Sequence, residues 1–172
     1  MTNAPAAIGD LVLWGLVATV VMDIILEGAQ GLGYSRMSLP FLFGTFFTAN
    51  RSWALVLGFV TYLIGGWLFA FLYFLLFDSL HIYSWWFGII AGAGHGFFLL
   101  TTMLPLMPYV HPRMASEYHG ATAIRQLEPP GFLGMNYGYG TPLVTLLAQM
   151  IYGGTLGLFA QLHHATPLIP IR

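Results

Sequence analysis

Asp23 and Glu27 stand one helical turn apart inside residues 11–31, an otherwise apolar stretch long enough to cross a bilayer. An ionised carboxylate at the centre of a membrane helix costs about 2.5–3.5 kcal/mol on the insertion scale, whereas each Leu, Ile or Val returns only about 0.3–0.6 kcal/mol. The aliphatic residues from Leu11 to Leu26 therefore do little more than offset the pair. With no lysine anywhere in the chain, the two acids need a partner, a proton or a metal to hold their place. Such a chain must fold as helices that turn a polar face away from lipid.

Composition points the same way. Charged residues are 6% of the 172 and hydrophobic ones 58%, where a soluble domain carries about 25% charge. Four segments, 11–31, 53–77, 85–107 and 141–163, reach the roughly 20 apolar residues that cross about 30 Å of hydrocarbon. The short alternating runs of a β-barrel do not occur. The expected fold is all-α: a polytopic integral membrane protein, residues 1–172 forming one transmembrane domain, with four helices in a compact bundle and a long lid-like connection between the third and fourth. Cysteine is absent, which excludes disulfides, thiolate metal ligands and cysteine nucleophiles. A formal charge of -1 argues against nucleic acid as a partner; the lipid bilayer is the expected one.

Residues 1–10 carry no Lys or Arg, and Asp23 and Glu27 would interrupt a signal-peptide core, so the first span is expected to stay. Arg36 and Arg51 lie in the first connection, Arg113 and Arg125 in the third, and Arg172 at the last position. The positive-inside bias puts connections one and three in the cytoplasm and both termini outside.

Small residues mark packing faces. Gly15, Thr19, Asp23, Glu27 and Gly31 recur every fourth residue in the first span, Gly88, Gly92, His95 and Thr102 follow helical spacing in the third, and Thr141, Thr145, Gln149, Gly153 and Gly157 do so in the fourth. These stripes should face one another, with Gly58, Gly65 and Gly66 giving the second span a comparable surface. Trp14-Gly15-Leu-Val-Ala18 echoes Phe87-Gly88-Ile-Ile-Ala91, Ile64-Gly65-Gly66 echoes Tyr152-Gly153-Gly154, and Met37-Ser-Leu-Pro40 echoes Thr102-Met103-Leu104-Pro105. The pattern reads either as a parallel duplication of a helix pair or as chance recurrence of Gly and Ala in membrane helices.

Asp23 and His95 fall near the middle of their spans, with Glu27, Gln149, Thr61 and Tyr62 toward the side of connections one and three. The polar site expected inside the bundle is therefore Asp23, Glu27, His95, Gln149 and Tyr62. The third connection adds His111, Glu117 and His119 as H-x5-E-x-H, and its Phe132, Tyr137 and Tyr139 among glycines suggest a lid packed on the bundle. Asp23, Glu27, His95, His111, Glu117 and His119 together would suit Fe, Mn, Zn or Cu(II). The plainer alternative has His95 bonded to Asp23 and His111 solvated in a loop. His81, His163 and His164 sit at span ends, where histidines are ordinary.

A proton-handling reading needs fewer parts. Two carboxylates a turn apart in a low dielectric cannot both ionise cheaply, so they would share a proton, with His95 as a relay member. Against it stands a purely structural pair, satisfied by Gln149, Tyr62, Thr19 or His95. A bis-histidine haem would require His111 or His119 to fold in beside His95 and is disfavoured; c-type haem is excluded by the missing cysteines.

The order G-L-V-A-T-V-V-M in the first span, W-x-x-x-L-G-x-x-x-Y-x-x-G in the second, W-F-G-I-I-A-G ending in M-L-P-L-M in the third and Y-G-G-T-L-G in the fourth resembles a group of small uncharacterised bacterial four-helix inner-membrane proteins. The resemblance implies the fold and a bacterial inner (plasma) membrane, and no activity. The acids of the first span and the H-x5-E-x-H segment stand outside its pattern. Two classes of function follow from the residues, a protein handling protons, ions or a bound metal at Asp23, Glu27 and His95, or an accessory subunit; a membrane-embedded oxidoreductase is a third and less favoured class, and an enzyme is not the expectation. In the second case Trp67, Phe69, Phe71, Tyr73, Phe74 and Phe77 would pack against other membrane proteins or a second copy.

Overall fold

The computed structural model describes residues 4–116 and 120–165. Its helices are α1 (Ala4–Gly31), α2 (Leu39–Gly44), α3 (Arg51–Leu80), α4 (Trp85–Phe98), α5 (Leu104–Val110) and α6 (Thr141–Ala165). A π-turn, Leu99–Met103, joins α4 to α5, and a 3-10 turn, Phe132–Tyr137, precedes α6. Among the described residues there is no strand, only an isolated bridge between Met114 and Leu127. Four stretches, Ile8–Gly31, Arg51–Leu80, Trp85–Val110 and Thr141–His164, are long and apolar enough to cross a membrane.

Helix ends fall where local chemistry stops them. The second span starts earlier than 53 and ends later than 77, because Asn50 caps it by accepting from the Trp53 N–H and His81 ends it in the left-handed region, φ 56°. The third span runs past residue 107 and is not one regular helix. Pro105 cannot donate to the Thr101 carbonyl and its ring would crowd it, and the wider π-turn lies across that carbonyl. His111 then turns extended ahead of Pro112 and closes α5.

Glycine contacts set the packing. Gly88 of α4 lies against the Gly153 carbonyl, Gly92 against that of Gln149, and Gly157 of α6 against that of Ser84. The stripes of the third and fourth spans therefore meet, as expected. The α1 stripe does not join them: Gly15 packs on Trp67 and Ala70 of α3, and Thr19 fills the hollow left by Gly66. On its other side α1 meets α6, where Trp14 and Phe159 stack with centroids 4.6 Å apart. Thr102 points outward, since the extra residue of the π-turn rotates it off the packed face.

The echo between halves is carried only in part. Leu39-Pro40 and Leu104-Pro105 each begin a short helix with the leucine buried. The paired glycines differ in use, however: Gly153 is packed where Gly65 meets open space, and Gly66 meets Thr19 where Gly154 meets Ile89.

One end of the bundle is covered. α2 lies on the first turns of α3, Gly44 against the Ala54 carbonyl and Gly58 against that of Pro40. The third connection is tied to this layer: Arg113 donates to the carbonyls of Thr45 (2.6 Å) and Phe46 (3.0 Å), and Arg125 to that of Met114 (3.2 Å). Tyr137 donates to the Glu128 carbonyl (2.7 Å), and its hydroxyl proton is held tightly, chiefly through burial. Of the three aromatics expected to pack inward, only Tyr137 does, while Phe132 and Tyr139 are exposed because they flank the turns rather than the bundle.

Candidate functional site: a mid-helix cavity

Tyr62 and Tyr73 lie eleven residues apart, three turns of α3, and so share its buried face. α4 brings His95, α6 brings Gln149 and Tyr152, and α1 brings Met22 to the same level. With Leu39 and Phe43 of α2, all of these except Tyr73 bound a cavity of about 220 Å³. The His95 ring lies on Phe69, centroids 4.1 Å apart, and its Nδ1 is 3.4 Å from the Tyr73 hydroxyl. Tyr152 donates to the Gly66 carbonyl at 2.6 Å. Three lining residues carry a buried polar atom with no hydrogen-bond partner: Tyr62 at its hydroxyl, His95 at Nε2 and Gln149 at Oε1. Buried polar atoms are ordinarily satisfied, so three around one space mark a place built to meet something else.

The acids of α1 sit beside this cavity rather than in its wall. The most buried line of α1 runs through Ala18, Met22 and Leu26, and Asp23 and Glu27 follow one residue on, half-buried. Asp23 Oδ1 is buried without a hydrogen-bond partner. Tyr62 lies within electrostatic reach of both carboxylates and so connects them to the cavity. Glu27 faces a second opening of about 260 Å³ at the covered end, shared with Ser38, Arg36, Arg51 and Glu128, and accepts from the Ser38 hydroxyl at 2.9 Å. Arg36 pairs with Glu128 across this opening at 3.3 Å.

Several expected pairings are replaced. His95 bonds Tyr73 and not Asp23, since α1 packs on α3 and α6 while α4 packs on α6 and not on α1. Glu27 is satisfied by Ser38, outside the four partners considered for it, and Thr19 instead donates to the Gly15 carbonyl at 2.7 Å. His111 is buried rather than solvated. Its Nδ1 accepts the Arg113 N–H at 3.1 Å, so Nε2 carries the proton and donates to the Leu42 carbonyl at 3.1 Å, beside the Thr45 hydroxyl. Burial, with Arg113 and Arg125 nearby, pushes this imidazole below the usual histidine value.

With both ring nitrogens engaged, His111 is an anchor for the connection and offers no lone pair to a metal or haem iron. Glu117 and His119 lie outside the described residues. Among the described residues no three His, Asp or Glu side chains lie close enough to hold a metal ion. The remaining histidines behave as span-end residues: His81 caps α3, His163 is 3.7 Å from Asp10, and His164 stacks on Tyr83.

Much of the aromatic run of the second span is turned into the bundle. Tyr73 and Phe77 are buried, Phe69 covers His95, Trp67 donates to the Val12 carbonyl at 3.0 Å, and Phe74 packs edge-on against Phe77 and Phe159. Phe71 alone of the six faces out. Sequence reasoning missed Tyr73, Tyr152 and Phe69 as site residues. The signal was available in the three-turn spacing of Tyr62 and Tyr73 and the i, i+3 spacing of Gln149 and Tyr152.

The chain matches no protein-family model, no curated protein and no solved structure. Fold and site define a class: an all-helical protein with four helices long and apolar enough to span a membrane, and a largely apolar cavity midway along them into which a few polar side chains reach.

Proposed function

We propose that the chain is an integral membrane protein of the bacterial inner-membrane type, with connections one and three in the cytoplasm, and that Asp23, Glu27, Tyr62 and His95 handle protons within it. The observation that carries this is Asp23: among the described residues it makes no ion pair, and its Oδ1 is buried without a partner next to Tyr62, whose hydroxyl is equally unpartnered. A carboxylate without a cation in a low dielectric is neutralised by a proton. Glu27, one turn nearer the covered end and open to it, meets an arriving proton first; Asp23 and Tyr62 follow, and His95 stands across the cavity. No metal is needed for this reading.

The test is proton uptake by proteoliposomes under an imposed potential, read with an internal pH dye. Wild type should acidify the lumen faster than empty liposomes, and Asp23→Asn and Glu27→Gln should each reduce that rate at least tenfold while remaining folded. Equal rates in wild type and both variants would replace this reading by the accessory-subunit one.

A further inference from the structure

The cavity has a chemistry the proton reading does not use. It is open on one side, between α3 and α4: an added Cβ on Gly65 would meet nothing within 4 Å, and Leu99 and Met103, the ends of the π-turn, line the opposite edge. α3 packs on α1 and α6 rather than on α4, so at the level of the cavity the gap is bridged by side chains, His95 on Phe69 and Tyr73, with Phe77 against Phe87 farther along. Gly65 and Leu99 both lie midway along their spans, beside the exposed Ile64, Leu68 and Phe98. In a bilayer this opening faces hydrocarbon, so the inference rests on the membrane part of the proposed function and not on its proton part.

What fits is limited by size and by the orphaned atoms. An apolar cavity of about 150 Å³ takes a benzene ring, and this one, at about 220 Å³, holds one ring with small substituents. Phe43, Phe69, Tyr62 and Tyr152 give it aromatic walls. Tyr62 and Gln149 are 6% and 3% exposed, and a plain hydrocarbon or acyl chain would leave their free atoms unsatisfied. Gln149 Oε1 can only accept, so the ligand must donate; Tyr62 and His95 can donate to an oxygen in return. A ring hydroxyl does both.

We propose that this cavity is a binding site for a lipid-soluble phenol or quinol ring, admitted from the bilayer between α3 and α4 at Gly65. The ring lies among the aromatic walls, its hydroxyl donating to Gln149 Oε1 and accepting from Tyr62 or His95.

The experiment is equilibrium dialysis of 4-butylphenol against the protein in nanodiscs, with empty nanodiscs subtracting bilayer partition and 4-butylanisole, the methyl ether, as the ligand that cannot donate. The phenol should fill one saturable site and the ether bind at least tenfold more weakly. Gln149→Leu should lose the preference for phenol over ether. Gly65→Leu, whose new side chain starts in open space and should not disturb folding, should weaken both ligands at least tenfold by closing the way in. No saturable binding above empty discs, equal binding of phenol and ether, or undiminished binding by Gly65→Leu would each overturn the proposal. Failure of the chain to enter nanodiscs would sink the membrane reading with it. Binding is read without a proton gradient, so a silent liposome assay leaves it standing, and absent phenol binding leaves the proton reading standing.

Discussion

The backbones of Gly88 and Gly153 approach so closely that a methyl group on either would run into the carbonyl oxygen of the other. This reciprocal contact locks α4 to α6, and the floor of the cavity, Gln149 and Tyr152, lies on the helix it locks.

Gly153→Ala should therefore lower stability in detergent by the roughly 1–3 kcal/mol that overpacking costs, seen as a lower thermal midpoint. Gly94→Ala, where the new Cβ meets nothing within 4 Å, should be neutral or stabilising through helix propensity. Unfolding curves for the two variants check this, and equal midpoints would count against the α4–α6 contact.

His111 makes stability depend on pH. Its imidazole titrates below the usual 6.5 in the fold, so on acidification the unfolded chain takes up a proton that the folded chain resists. The stabilisation is complete above about pH 6.5 and declines as pH falls toward the folded value. His111→Gln should be less stable than wild type near neutral pH, and the gap should narrow on acidification; a constant gap would refute the assignment.

Arg113→Ala should free two carbonyls, those of Thr45 and Phe46, at about 1–3 kcal/mol for groups left unpaired away from water. Hydrogen exchange should speed up around Thr45 and Met114 and stay unchanged at Gly88 and Gly153. Uniform acceleration over the whole chain would show that Arg113 supports the bundle and not only its cover.

Asp23→Asn should accumulate in membranes at least as well as wild type, because removing an ionisable group from mid-span relieves an insertion cost of about 2.5 kcal/mol or more. Quantitative blotting of membrane fractions reads this. A large loss of protein would mean that the carboxylate itself holds the fold.

Arginine placement predicts topology. A reporter active only in the cytoplasm should work when inserted near Glu128 and fail when fused after Arg172, and the reverse pattern would invert the proposed orientation.

The four spans were legible because long apolar runs leave few alternatives, and helical spacing marked Gly88 and Gly92 as a packing face. The partner of the α1 stripe was not, since periodicity shows which face of a helix packs but not which helix it meets. For that reason Asp23 and His95 were placed together, while the bundle seats His95 against Phe69 and Tyr73. α2 is too short for a periodic signal, and only Ser38 ahead of Leu39-Pro40 marks its start. The role of His111 was hidden because both of its anchors, Leu42 and Arg113, are backbone groups that any residue type would supply.

The π-turn at Leu99–Met103 lets one span serve two neighbours that demand different rotations. Above it, the phase of α4 is set by glycines against α6; below it, the phase of α5 is set by His111 reaching Leu42. Cutting one residue from the turn would swing everything after it by about 100°, carrying His111 off its carbonyl without touching Gly88 or Gly92. The turn is in effect a phase adjuster between two rigid couplings, and the side window of the cavity opens where the adjustment is made.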